Sequence, residues 1–108
     1  MITRERITQV VGEMKFLSDK LLCGDEDAYK EFEKYCADWM KVINLILIDF
    51  SAWHETVTKI PLDIIYQQIQ NLEIALKTKD DFMLADTLRY EISNVLEYYL
   101  ELVEGNGR

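Results

Sequence analysis

Proline occurs once, histidine once, cysteine twice and glycine four times in these 108 residues. Each scarcity removes a class of explanation. With so few chain breakers, and two of the glycines in the closing Gly105-Asn106-Gly107-Arg108, the composition is not that of a linker or a disordered tract. One histidine is too few for a di-metal carboxylate bundle, which needs two Glu-x-x-His motifs, and the residue three before His54 is Ser51. A zinc site built from His54, Cys23 and Cys36 would draw ligands from opposite ends of the fold, and the same separation denies either thiol an imidazole base. The glycines, at 12, 24, 105 and 107, form no phosphate-binding loop.

Long apolar runs are also missing. The richest stretch, Val42 to Ile48, stops at Asp49, far short of the roughly 20 residues that cross a bilayer. The opening Met1-Ile2-Thr3-Arg4-Glu5-Arg6 has no apolar signal region. The expected location is therefore the cytoplasm, where Cys23 and Cys36 stay reduced. The net charge of −8 disfavours nucleic acid and anionic membranes as partners. No catalytic, cofactor or metal signature remains, and a non-enzymatic protein is expected.

What the chain has is apolar periodicity. Ile7, Val10, Met14, Leu17 and Leu21 step by three and four, and Leu62, Ile65, Ile69, Leu72 and Leu76 repeat the pattern 55 positions later. Tyr29, Phe32, Cys36, Trp39, Ile43 and Ile46 step likewise, followed 56 positions later by Ala85, Leu88, Ile92, Val95, Tyr99 and Leu102. Such steps place side chains on one stripe of a helix and fit a bundle seam. The fold class expected is all-α: one domain over residues 1–108, an antiparallel up-down-up-down four-helix bundle with hairpins at about 3–55 and 61–104. Half the chain, 49%, is apolar, enough for one core.

Local signals set the helix ends. Thr3 suits an N-cap and Gly24 a C-terminal turn. Asp25 is expected to open helix two at Glu26, which runs to about Glu55, where Thr56-Val57-Thr58 disfavours further helix. Pro61 fits the first turn of helix three, Asp80 caps helix four, and Gly105 is expected to stop it. Gly12 lies inside helix one at a cost of about 1 kcal/mol relative to alanine, which predicts a close helix contact there.

Charge sorts by segment. Residues 1–22 carry +1, 23–56 carry −5, 57–79 carry +1 and 80–108 carry −5. Short connections then set each acidic helix between two slightly basic ones. The matched order is compatible with a duplicated hairpin, although identities such as Leu17/Leu72, Leu21/Leu76 and Asp25/Asp80 are few and the bundle does not require duplication.

Helices two and four are longer than their partners and overhang at one end. That end carries Leu47, Ile48, Phe50, Trp53, Tyr98, Leu102 and Val103. It either receives a partner or is covered by the start of helix one and the 56–61 connection. Helix two, with Val42, Leu45, Leu47 and Ile48 off its main stripe, is apolar nearly all round, as a central or interfacial helix is. Leu47, Phe50, Trp53, Tyr98 and Leu102 are the expected interaction residues, for another protein or a second copy in a homodimer. Three polar features attach to this frame. Asp49 interrupts an apolar run and, if buried, needs a donor, for which Trp53 at i+4 is placed. Asp86 and Arg89 are spaced to pair at i,i+3. Gln67, Gln68, Gln70 and Asn71 give helix three an uncharged outer face. A small-ligand pocket with Tyr99, Trp53 and His54 as polar handles is the alternative use of the same end.

The segment Asp80-Asp81-Phe82-Met83-Leu84-Ala85-Asp86-Thr87-Leu88-Arg89-Tyr90-Glu91-Ile92 resembles a pattern in small, functionally uncharacterised helical proteins of Firmicutes. There an acidic residue leads into Leu-Ala-Asp, a leucine, and Tyr-Glu with an apolar residue. Thr87 and Arg89 depart from the more leucine-like or acidic residues of that pattern. The resemblance covers about a fifth of the chain and carries over no functional residue. It implies a bacterial cytoplasmic protein and, since some such proteins are encoded near motility genes, an accessory or chaperone role in motility or export.

Overall fold

The computed structural model describes residues 3–53 and 62–106. These form four helices, with no strand among the described residues: α1 (Arg4–Leu22), α2 (Ala28–Trp53), α3 (Leu62–Thr78), and a fourth in three consecutive pieces, α4 (Asp81–Asp86), a π-helical stretch (Thr87–Ile92) and α5 (Ser93–Asn106). None of them is long and apolar enough to cross a membrane.

The start signals act as capping chemistry requires. Thr3 Oγ1 accepts from Arg6 N–H at 3.2 Å, and Asp80 Oδ1 accepts from Met83 N–H at 3.0 Å. Asp25 behaves differently. Its Oδ1 accepts from Asp27 N–H at 2.8 Å, a local turn that holds Glu26 and Asp27 outside the helix and delays α2 to Ala28. Gly105 does not stop α5, which runs through to Asn106. A single glycine in a last turn costs too little to end a helix unless it turns left-handed. The expected stop at 56–58 and Pro61 lie outside the described residues.

The turns after α1 and α3 match bond for bond at a spacing of 55. Asp25 N–H reaches Lys20 O at 3.0 Å, and Asp80 N–H reaches Ala75 O at 3.1 Å. Gly24 N–H reaches Leu21 O at 3.2 Å, and Lys79 N–H reaches Leu76 O at 3.4 Å. In both, amides beyond the helix serve its last carbonyls through a left-handed residue: Gly24 at φ 74° and Lys79 at φ 51°. Glycine enters that region freely, whereas lysine does so under strain.

The apolar stripes line the core. Ile7, Val10, Met14, Leu17 and Leu21 of α1 are buried, as are Phe32, Trp39, Ile43 and Ile46 of α2 and Ala85, Leu88 and Ile92 of the fourth helix. On α3 only Ile65, Leu72 and Ala75 are buried, and Leu62, Ile69 and Leu76 are half-buried. Beyond Ile92 the stripe departs at one position: Val95 is half-buried and Leu96 takes the core place, after which the buried Tyr99 rejoins the expected spacing. Ser93 N–H bonds to Leu88 O, five residues back, and Ser93 Oγ donates to the same carbonyl at 2.5 Å. From α1, Ser18 Oγ donates to Ala85 O at 3.1 Å just before the π turn. Both serines are fully buried, so each hydroxyl satisfies itself and a main-chain acceptor out of reach of water.

Helix α1 packs against α2 and against all three pieces of the fourth helix; α3 packs on α4 and the π stretch. Ion pairs follow the segment charges. Arg4 Nη1 meets Glu104 at 2.9 Å, Lys15 Nζ meets Glu97 at 3.2 Å, and Asp19 pairs with Arg89. Toward α2, Arg6 meets Asp38 at 3.6 Å and Lys20 meets Glu31 at 2.5 Å. Arg89 thus reaches across to α1, and Asp86, its expected i,i+3 partner, is exposed. Exposed pairs add little stability each, but they fix which helices face each other.

Gly12 makes no close helix contact. It is exposed, and a Cβ built there meets nothing within 4 Å. The Gly12→Ala substitution is therefore expected to stabilise the protein by about 0.5–1 kcal/mol, through helix propensity alone. Urea unfolding checks this as a higher midpoint at unchanged slope; a lower midpoint contradicts it.

Candidate interaction surface

The end that carries Phe50 is built around a ring cluster. Phe50 is fully buried. Its ring lies 6.3 Å from Trp53, 6.1 Å from Tyr98 and 5.8 Å from Tyr99, and Trp53 stacks on Tyr99 at 5.4 Å and 17°. Of the five expected interaction residues, Leu47, Trp53, Tyr98 and Leu102 are half-buried and keep an accessible edge. Phe50 has no surface to offer a partner. Of the polar handles placed there, Tyr99 is itself buried, and its hydroxyl donates to Asp49 Oδ2 at 2.5 Å. The donor to Asp49 is thus Tyr99 of α5, where the i+4 spacing points to Trp53. His54 lies outside the described residues.

Two phenols are raised above the usual tyrosine value. Burial, then the bond from its hydroxyl to Asp81 Oδ1 at 2.6 Å, pushes Tyr29 up to about 12. Burial raises Tyr99 too, followed by the bond to Asp49. A folded-state pKa above the unfolded one, near 10, contributes stability that is complete below the unfolded value and is lost as pH climbs through the folded one. The Tyr99→Phe variant is expected to be less stable by about 1.5 kcal/mol at neutral pH, and this deficit to shrink once pH passes about 10. Chemical unfolding from pH 7 to 11 checks it; a deficit independent of pH contradicts the assignment.

Cys23 is exposed, Cys36 is half-buried, and both are free thiols. Burial pushes the Cys36 thiol up, away from the range of a nucleophile. Among the described residues no group of three or more His, Cys, Asp and Glu side chains is placed to hold a metal ion.

The accessible apolar surface lies elsewhere on the helices. Between α2 and α3 runs an open groove of about 420 Å³ lined by Asn44, Leu47, Ile48, Ser51 and Tyr66. Ile48 is 63% exposed and Tyr66 47%. Nearby on α2, Leu45 is also exposed. None of the five lining residues is charged, in a chain of net charge −8. Leu47 is the member of the expected set that lines this groove; Tyr98 lines a second one, between α3 and the fourth helix. Leu45, Leu47 and Ile48 off the main stripe of α2 are the sequence signal for the first groove. The second runs beside the π stretch, and its sequence signals are Tyr98 and the amides Gln68 and Asn71 of the uncharged α3 face.

No family model, no curated protein and no solved structure matches this chain. The functional reading therefore rests on the grooves and their chemistry.

Proposed function

We propose that this is a non-enzymatic protein–protein interaction module that self-associates through the α2 and α3 faces bordering the uncharged groove. The observation that carries the reading is Ile48, mostly exposed beside Leu47 and Tyr66 in a groove without a charged side chain. Two copies of a chain of net charge −8 repel over most of their surface. A face without charge is where they meet at least electrostatic cost, and a two-fold contact uses the same face of both copies.

In this reading the helices form an up-down-up-down antiparallel bundle made of two copies of one hairpin. Support for the direction comes from the ion pairs, whose partners fall from 104 to 97 to 89 as α1 rises from 4 to 15 to 19. Support for the duplication comes from the two turns that repeat bond for bond. In such a bundle the counterpart of the closed seam between α1 and the fourth helix is the seam between α2 and α3, which is open. A second copy would cover the apolar side chains left there.

Sedimentation equilibrium of the wild type beside the double variant Ile48→Glu with Tyr66→Glu tests this. The wild type is expected to approach twice 12.8 kDa, and the variant to remain at the single mass with unchanged helicity. A wild type that stays monomeric into the millimolar range, or a variant that associates equally well, rules the groove out as the contact.

A further inference from the structure

A second groove follows the seam between α3 and the fourth helix. Its two hollows share Tyr90 and Glu91 of the π stretch, so they form one channel. It spans Asp80 to Tyr98 along the fourth helix, about 27 Å at the helical rise. The two halves differ in chemistry. Around the first half stand Asp80, Asp86 and Glu91, with Asn71 and Thr87 and no lysine or arginine. Ile64, Val95, Tyr90 and Tyr98 supply the apolar side of the second. Ile64 and Tyr90 are both exposed despite their size.

The geometry points to this groove as the docking site of a basic amphipathic helix from another protein, its apolar face on Ile64, Tyr90, Val95 and Tyr98 and its lysine or arginine side chains on Asp86 and Glu91. Charge selects this occupant. Among the described residues neither Asp86 nor Glu91 pairs with a cation, although Arg89 lies between them in sequence, because Arg89 is taken by Asp19 across on α1. Asp80 already spends its carboxylate on Met83 N–H. Every charge lining the groove is negative. A partner that brings positive charge complements it, whereas a second copy of this acidic chain does not. The channel accommodates a helix of up to about 18 residues, and helix-in-groove docking uses apolar anchors at i, i+3 and i+4. Leu96 faces the core and leaves Val95 half-buried, on the groove.

The test uses a fluorescein-labelled peptide of 16 residues, leucine at helical a and d spacing and lysine elsewhere, titrated against the whole chain at 150 mM salt. A scrambled peptide of the same composition is the control. Fluorescence anisotropy is expected to saturate for the amphipathic peptide and to weaken about tenfold for Asp86→Asn with Glu91→Gln, the equivalent of two ion pairs. The variant Glu26→Gln with Glu33→Gln removes the same charge from exposed positions outside the groove and is expected to bind within twofold of wild type. Tyr90→Ala, at an exposed position, is expected to weaken binding with no change in the circular dichroism. Ile48→Glu with Tyr66→Glu is expected to bind normally, which separates this groove from the self-association face. Equal weakening by the two charge-removing variants, equal binding of the scrambled peptide, or no saturation would overturn the proposal.

Discussion

Replacing Phe50 by alanine is expected to lower stability by about 3–5 kcal/mol, the usual loss for removing a fully buried aromatic ring. A domain of this size is stable by roughly 5–15 kcal/mol, so the variant is expected to be partly unfolded at 37 °C. The loss has two sources. One is the ring itself, at 0% exposure. The other is what it supports. Trp53, Tyr98 and Tyr99 all lean on Phe50 within 6.3 Å, and Tyr99 carries the donor that satisfies Asp49. If Tyr99 turns, a half-buried carboxylate loses its partner. Phe50→Leu keeps an apolar group in place and is expected to lose less, about 1–2 kcal/mol. Thermal and urea unfolding of the two variants check the order. A Phe50→Ala protein that unfolds like wild type but no longer self-associates would put the ring at an interface instead.

Trp39→Ala is expected to be comparably severe, at about 3–5 kcal/mol. The indole is 2% exposed, stacks on Tyr35 at 5.5 Å and 7°, and meets the edge of Phe32 at 5.6 Å. Its Nε1–H donates to Glu13 Oε1 of α1 at 3.0 Å, which ties α2 to α1 midway along the pair. Trp39→Phe retains most of the volume and abandons only that bond. Glu13 then turns to water at its half-exposed position, and the loss is expected to be about 1–2 kcal/mol. Trp53 remains as the fluorescent reporter in both variants. A Trp39→Phe variant as damaged as Trp39→Ala would mean that the bond to Glu13, not the volume, holds the helices together.

How much of this was legible depended on the range of the interactions. Helix number, helix faces and two of the helix starts are set by neighbours within four residues, so Thr3 and Asp80 announce those starts in the sequence, as Gly24 announces the end of α1. Asp25 misled because its carboxylate has two local choices, a cap or a turn, and the turn prevails by serving Asp27. The π stretch is different. It places Ser93 under Leu88 O and relies on Ser18, 67 residues from Ala85, to satisfy a carbonyl. No window of a few turns contains that information, although a serine or threonine inside an apolar helical stretch, such as Thr87 or Ser93, is a trace of it. The pairings of Arg89 with Asp19 and of Tyr99 with Asp49 span 70 and 50 residues and were hidden for the same reason.

The candidate surface divided along the same line. That α2 has apolar side chains all round could be read from Val42, Leu45, Leu47 and Ile48. Which of them face water could not, because that depends on where α3 settles. Val42 is buried, Leu47 is half-buried, and Leu45 and Ile48 are exposed. At the end that carries Phe50 the aromatic rings pack on one another, and Phe50 itself is buried.

The most direct measurement of the self-association claim is an isotope-filtered nuclear Overhauser experiment on an equal mixture of labelled and unlabelled protein. Contacts that cross between molecules are expected to connect the methyl groups of Leu45, Leu47 and Ile48 to aromatic protons of Tyr66, and to vanish when Ile48 is changed to glutamate. Cross-molecule contacts that involve other faces, or none at millimolar concentration, would contradict the account.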